Sequence, residues 1–221
     1  MNIKEIYEKF DAIGSLTFAT INEGYPETRI AHFFAHDEDG LYFRTMFPKP
    51  FYKQLKKIKK ISVCGLYGST EVTHGEDGLP EFEPGYTIRV TGDIKEVSLE
   101  EIKKKSINKE LFDVGIKDVE KYPAMRIFVL YRGKGEVFDF DFETKFRDHK
   151  LLRTNFSFND FCDKVFGLEI KNNCIRCGKC FKRCSFKAVE KINKDYTINS
   201  KKCDICGDCV TVCPVDAIKE R

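Results

Sequence analysis

Eight of the ten cysteines fall within the last 48 residues, in one pattern written twice. Cys174, Cys177, Cys180 and Cys184 read Cys-x-x-Cys-x-x-Cys-x-x-x-Cys, and Cys203, Cys206, Cys209 and Cys213 repeat it 29 positions later. Thiolates at this density bind soft metal centres, and the third cysteine of each run discriminates among them. Zinc takes pairs of Cys-x-x-Cys, four ligands to an ion, and leaves a third cysteine at that interval without a role. A disulfide framework needs an oxidising compartment. Here Met1 leads straight into the charged, amphipathic segment Asn2 to Phe10, with no apolar signal core. An iron–sulfur cluster fits the spacing. Three thiolates only three residues apart wrap one face of a cubic cluster, while the fourth corner points away and needs a distant stretch of chain.

The two runs resemble the ligand runs of bacterial-type ferredoxins carrying two four-iron clusters, where the fourth cysteine of each run serves the other cluster. The resemblance implies Cys174, Cys177, Cys180 and Cys213 for one [4Fe-4S] cluster, and Cys203, Cys206, Cys209 and Cys184 for the other. The rest of the repeat agrees: Gly178 matches Gly207, Ala188 matches Ala217, and Val189 matches Ile218. Glycines permit tight turns around the sulfurs, and small residues let the chain pass close by. Pro214 follows Cys213, but Ser185 stands at the equivalent place in the first run, a departure that removes no ligand. Such a tail moves electrons singly. The other two cysteines, Cys64 and Cys162, lie among apolar residues and read as inert core thiols.

At 221 residues the chain has room for one further domain of roughly 150 residues. The expected division is 1–155 for that domain, 156–170 for a connecting segment and 171–221 for the cysteine module. The connection holds Phe156, Phe158, Phe161 and Phe166 and reads as packed, since a free tether would be polar or Gly/Ser-rich. No stretch approaches the ~20 apolar residues that a bilayer requires, so the expected location is the cytoplasm. Residues 171–221 carry 12 Lys plus Arg against 6 Asp plus Glu, leaving 26 against 29 elsewhere. A basic tail favours docking to an acidic electron carrier such as a ferredoxin or flavodoxin. The basic residues lack the aromatic interleaving of a nucleic-acid surface.

The first domain opens with a helix, Ile3, Ile6, Tyr7 and Phe10 sharing a face and Gly14 ending it. Strands follow at Leu16 to Ile21, Thr28 to His36 and Leu41 to Met46, with turns at Asn22-Glu23-Gly24 and Asp37-Glu38-Asp39-Gly40. Pro50 suits the first turn of a helix striped by Phe51, Leu55 and Ile58. Ile61 to Tyr67 and Tyr86 to Val97 read as strands, and Ser98 with Glu101 as a capping box for a helix over 99–112. Two last strands are expected at Ala124 to Tyr131 and Gly135 to Phe142. Arg147, His149 and Arg153 lie beyond them and read equally well as linker charges. Many antiparallel strands with few helices indicate a closed β-barrel.

Arg29 on one strand, Arg44 and Thr45 at the end of another, and Lys49 before the helix could form a phosphate site, because guanidinium groups bond phosphate oxygens in pairs and helix amides add partial positive charge. Solvated strand charges are the plainer reading of the same residues. His32 shares a side with Ile30 and Phe34, as a barrel-lining residue or a proton donor.

Thr28-Arg29-Ile30-Ala31-His32, Leu41-Tyr42-Phe43-Arg44-Thr45, Lys49, Gln54-Leu55 and Ile61-Ser62-Val63-Cys64, with Arg89-Val90-Thr91-Gly92 in the next long strand, resemble the FMN-binding split-barrel family. That family includes pyridoxamine 5′-phosphate oxidase and the nitroimidazole reductase-like proteins. The resemblance covers residues 5–140. It implies a mainly β fold with some α, an antiparallel split β-barrel followed by a small α+β ferredoxin module. It further implies a homodimer with FMN at its interface, Arg29 and Lys49 on the FMN phosphate, and Arg44, Thr45 and Gln54 along the phosphate and ribityl chain. A flavin joins one-electron clusters to two-electron substrates, so the expected activity is that of an anaerobic, flavin-dependent oxidoreductase reducing a small molecule. Oxidase activity is a poor fit, since peroxide attacks exposed clusters. The alternative is an electron carrier or a ligand-binding protein, holding haem or a deazaflavin, with no turnover of its own.

Overall fold

The protein is described from a computed structural model, which describes residues 1–68, 73–76, 78, 80–81, 85–107, 109–140, 152–161 and 167–221. Asn2 caps the first helix, α1 (Ile3–Ile13): its side-chain oxygen accepts the Glu5 N–H, and the Glu5 carboxylate accepts the Asn2 N–H. This exchange satisfies donors that a helix start otherwise leaves open. Ile6, Tyr7 and Phe10 are buried on one face, and Gly14, at φ 76°, ends the helix by donating to the Phe10 carbonyl.

β1 (Leu16–Asn22) and β2 (Tyr25–Ala31) pair as an antiparallel hairpin from Leu16 opposite Ala31 to Asn22 opposite Tyr25. Its turn residues Glu23 and Gly24 both have positive φ, 51° and 87°, the handedness that matches strand twist. β3 (Ala35–Asp37) and β4 (Gly40–Met46) form the second hairpin. The strand expected from Thr28 to His36 is therefore broken, and the cause is two consecutive buried rings. Phe33 packs on Phe10, Phe18 and Phe43, whereas Phe34 joins Tyr42, Phe112 and Ile127 in a separate cluster. A regular strand would send neighbours to opposite faces, so the chain bends to bury both.

α2 (Pro50–Ile58) buries Phe51, Gln54 and Leu55. β5 (Lys60–Tyr67) follows, then a short pair, β6 (Thr73–His74) with β7 (Pro80–Glu81), and the long β8 (Gly85–Val97). On β5, Ile61 and Val63 point inward and Cys64 is exposed. Strand alternation thus overturns the reading of Cys64 as a core thiol; Cys162 lies outside the described residues. Ser98 and Glu101 form the expected capping box of α3 (Leu99–Ser106), but the helix expected to reach 112 is shorter. A 3₁₀ turn at Glu110–Phe112 then buries Phe112 edge-on against Tyr42, and α4 (Asp113–Lys121) follows.

β9 (Met125–Phe140) is one strand where two were expected. Gly133 and Gly135 do not make a turn. They admit close neighbours: a Cβ at Gly133 would meet the Thr91 carbonyl and the Phe158 ring, and one at Gly135 the Arg89 carbonyl and the Phe156 ring. Those rings belong to β10 (Leu152–Phe158), an unanticipated strand that pairs with β9. Phe156 and Phe158 are buried, in keeping with a packed connection; Phe166 lies outside the described residues.

The strand order is β2-β1-β5-β8-β9-β4-β3, with β10 added to β9. β1 and β4 stand four steps apart, about 19 Å in a flat sheet, yet the Phe18 and Phe43 rings are 5.3 Å apart. The sheet has rolled up around its aromatic core. Its ends, β2 and β3, make it a split antiparallel barrel and not the closed one that the strand count suggested.

By contact density the chain divides into two units, with boundaries inside β8, β9 and β10. One holds Met1–Tyr67, Ile88–Glu136 and Phe156–Asp163, and the other Gly68–Thr87, Val137–Asn155 and Lys164–Arg221. In the second, β11 (Leu168–Ile170) pairs with β14 (Ile218–Glu220) and β12 (Val189–Ile192) with β13 (Asp195–Ile198), both antiparallel. Short helices α5 (Lys179–Arg183) and α6 (Asp208–Thr211) complete it around Leu168, Val189, Ile198 and Ile218. Among the described residues no helix is long and apolar enough to cross a membrane.

One polar cluster ties the first unit together. The Asp37 side chain is 2 % exposed, accepts a bond from the Tyr42 hydroxyl at 3.0 Å, and pairs with Lys105, which also reaches Asp39. Burial alone would lower the Lys105 ammonium, but the two carboxylates hold it above the usual lysine range. Lys105→Met is expected to destabilise the protein by about 3 kcal/mol, because it strands a buried carboxylate. Adding Asp37→Asn should recover part of that loss in urea unfolding followed by circular dichroism. Strictly additive losses would contradict the pairing.

Candidate functional site

The cysteine repeat folds as a repeat of backbone conformations. Arg176 and Ile205 have φ near 60° (59° and 60°), Gly178 and Gly207 have 73° and 84°, and Lys187 and Asp216 have 50° and 49°. Each pair is 29 positions apart. These left-handed residues aim amides at sulfur. The Arg176 N–H donates to Cys174 Sγ and the Ile205 N–H to Cys203 Sγ, both at 3.4 Å. The Ala188 N–H donates to Cys184 Sγ at 3.3 Å and the Ala217 N–H to Cys213 Sγ at 3.2 Å.

Two cavities result. Cys174, Cys177, Cys180 and Cys213 line one, with Ile175 and Tyr196; Cys184, Cys203, Cys206 and Cys209 line the other, with Asp204 and Asp208. The fourth cysteine of each run thus stands with the first three of the other. Burial, then the neighbouring thiolates Cys203, Cys184 and Cys206, push the Cys209 thiol up to about 11. Cys180 and Cys203 are raised as well, chiefly by burial. A metal core that displaces those protons compensates the crowded sulfur charge. Among the described residues no three Cys, His, Asp or Glu side chains converge as a single-ion site would.

In the first unit, an open cleft of about 480 Å³ lies where β2, β4 and the start of α2 meet, lined by Arg29, His32, Arg44, Thr45, Lys49 and Phe51 among others. Small-molecule sites commonly measure roughly 300–1,000 Å³. Arg29 is fixed from behind. Its guanidinium lies 4.3 Å from the Phe51 ring centre and donates to Thr20 Oγ1 at 2.5 Å and to Gln54 Oε1 at 2.9 Å. Burial holds it below the usual arginine value. Arg44 is anchored by Asp118, Nε to Oδ2 at 2.7 Å, and sits over Phe34. Its Nη1 is buried and has no hydrogen-bond partner among the described residues, a donor left for a ligand. Lys49 occupies the N-cap position of α2 and lines the same cleft, with Pro50 at the first helical position. Burial, then the Arg44 charge, lower the His32 imidazole and keep it neutral near pH 7.

Arg29, Arg44, Thr45 and Lys49 therefore share one cleft. Gln54 does not line it: the side chain is buried behind Arg29, donating to Glu27 at 2.7 Å. Asp118, which orients Arg44, was not legible in the sequence, because nothing in its neighbourhood marks it. Arg147 and His149 lie outside the described residues. Arg153, for which a linker charge was an equally good reading, is on β10 with a side chain 13 % exposed.

Residues 173–218 match the 4Fe-4S dicluster domain family. This part of the chain is an iron–sulfur domain, with an electron-transfer role. No curated protein gave a significant match to the chain. Among solved structures, a NimC/NimA family protein from Clostridium acetobutylicum is 18% identical, with a TM-score of 0.47 over 70% of this chain and 91% of that one. A pyridoxamine 5′-phosphate oxidase-related, FMN-binding protein from Nostoc punctiforme is 15% identical, with a TM-score of 0.44 over 71% and 94%. The haem storage protein HutZ from Vibrio cholerae is 16% identical, with a TM-score of 0.41 over 59% and 90%. At such scores the split barrel stands on its own strand order and ring contacts.

Proposed function

We propose that the protein is an iron–sulfur flavoprotein that passes single electrons from two [4Fe-4S] clusters to FMN for reduction of a small molecule. The observation that carries this reading is the cationic cleft, Arg29, Arg44 and Lys49 together with an open Arg44 donor, in a chain that ends in an iron–sulfur domain. Cys174, Cys177, Cys180 and Cys213 would hold one cluster and Cys203, Cys206, Cys209 and Cys184 the other. A bound flavin supplies the conversion between one-electron and two-electron chemistry.

The chain's own residues bind and orient. Arg29 and Lys49 grip the phosphate, Arg44 adds its free Nη1, and Thr45 offers a hydroxyl along the ribityl chain. Gln54 acts through Arg29, holding the guanidinium in place. His32, neutral and exposed at the cleft wall, supplies a proton at an imidazole nitrogen only after protonation from solvent. A second copy of the chain completes the site in this proposal. The exposed apolar side chains of edge strand β2, Tyr25 at 74 % and Ile30 at 67 %, support such an interface. The basic tail would dock an acidic carrier that supplies the electrons.

Protein purified without oxygen is expected to contain about eight iron and eight sulfide ions per chain. Cys184→Ala should remove the cluster of Cys203, Cys206 and Cys209 and spare the other, as read by iron content and electron paramagnetic resonance. Four irons with all cysteines intact, or stoichiometric zinc, would sink the cluster assignment. Arg29→Ala and Lys49→Ala should each weaken FMN binding about tenfold to a hundredfold, roughly 1.5–3 kcal/mol for a charge-assisted contact. Fluorescence titration giving unchanged affinity in both variants would show that the phosphate sits elsewhere.

A further inference from the structure

The two cysteine-lined cavities are built from one repeat, yet their charged surroundings differ. Arg153, on a strand that precedes both runs, is tied to the second. Its N–H donates to the Lys201 carbonyl at 2.7 Å, and its guanidinium stands 5.0 Å from the Phe138 ring centre. Its Nη2 lies 3.8 Å from Asp204 Oδ1. Asp204 follows Cys203 directly and lines the cavity of Cys184, Cys203, Cys206 and Cys209.

The repeat supplies an internal control. The position equivalent to Asp204 in the first run is Ile175, so no such ion pair can form there. The basic residue beside it, Arg176, has a side chain 60 % exposed and is paired with Asp195 at 2.6 Å. Water screens that cation. Arg153, at 13 % exposure, is screened by water far less than Arg176. Asp208, the other acid of this cavity, pairs with Arg183 at the surface.

Building on the two-cluster reading, we propose that Arg153 raises the reduction potential of the cluster held by Cys184, Cys203, Cys206 and Cys209, and so makes the two clusters unequal. Reduction transfers one electron from an external low-potential donor to the cluster and adds one negative charge to it, with no bond made or broken. A buried cation stabilises that added charge. Arg153 acts through the electrostatic field and as an anchor of Asp204, not as a ligand.

The test is an anaerobic redox titration of the full-length protein, with added mediators and electron paramagnetic resonance detection. Arg153→Gln should lower one midpoint and leave the other unmoved. Arg153→Lys should restore it, and Asp204→Asn should raise the same midpoint. Should Arg153→Gln lose iron, Asp204→Asn at its part-exposed position decides the matter. Midpoints that stay put, move together or shift the opposite way, at full iron content, overturn this proposal alone. An unaltered protein with about four irons overturns the two-cluster reading and this proposal with it.

Discussion

Four amide-to-sulfur contacts impose the strictest demand on the backbone. To aim the N–H groups of residues 176, 188, 205 and 217 at cysteine sulfurs, the chain adopts left-handed backbone at Arg176, Lys187, Ile205 and Asp216. Left-handed backbone costs an L-residue roughly 1–2 kcal/mol, and β-branched Ile205 is a marked exception to normal preference. Such strain persists only where surroundings over-determine it. Here the surroundings are the small core of Leu168, Val189, Ile198 and Ile218, closed by the β11–β14 and β12–β13 pairs. Because each fourth cysteine faces the other run's first three, neither half of the module forms a complete cavity alone.

The barrel cleft follows a different logic, preorganised charge. Arg29 rests on Phe51 and is bonded to Thr20 and Gln54. Asp118 holds one side of Arg44 and leaves Nη1 open. Each cation is therefore fixed before any anion arrives, which reduces the ordering cost of binding. The aromatic core sets this geometry. Rolling the sheet brings Phe18 and Phe43 together, and α2 packs Phe51 against both, so its first turn and Lys49 come to the mouth of the cleft.

Much of this was legible because it is local. Capping boxes at Asn2 and Ser98, the hairpin turn at Glu23-Gly24 and the spacing of the cysteines all depend on residues a few positions apart. The failures are non-local. β9 read as two strands, broken between Tyr131 and Gly135, because sequence cannot reveal that β10 rings and β8 carbonyls press against Gly133 and Gly135. The Phe33-Phe34 pair looked like strand interior, and only the existence of two separate clusters explains the break. Gln54, expected along the ribityl chain, is turned by its helix behind Arg29, a placement that sequence neighbourhood does not reveal. Arg153 read equally well as a linker charge because the residue that it meets, Asp204, lies in the second cysteine run.

The central claim is that the cysteine module and the barrel cleft form one electron path. Anaerobic stopped flow addresses it most directly: FMN-loaded protein is mixed with a low-potential donor, and cluster and flavin absorbance are followed together. The account predicts that cluster reduction precedes bleaching of the flavin, and that Cys184→Ala slows the bleaching. Clusters that reduce while the flavin stays oxidised, against a favourable potential, would contradict it.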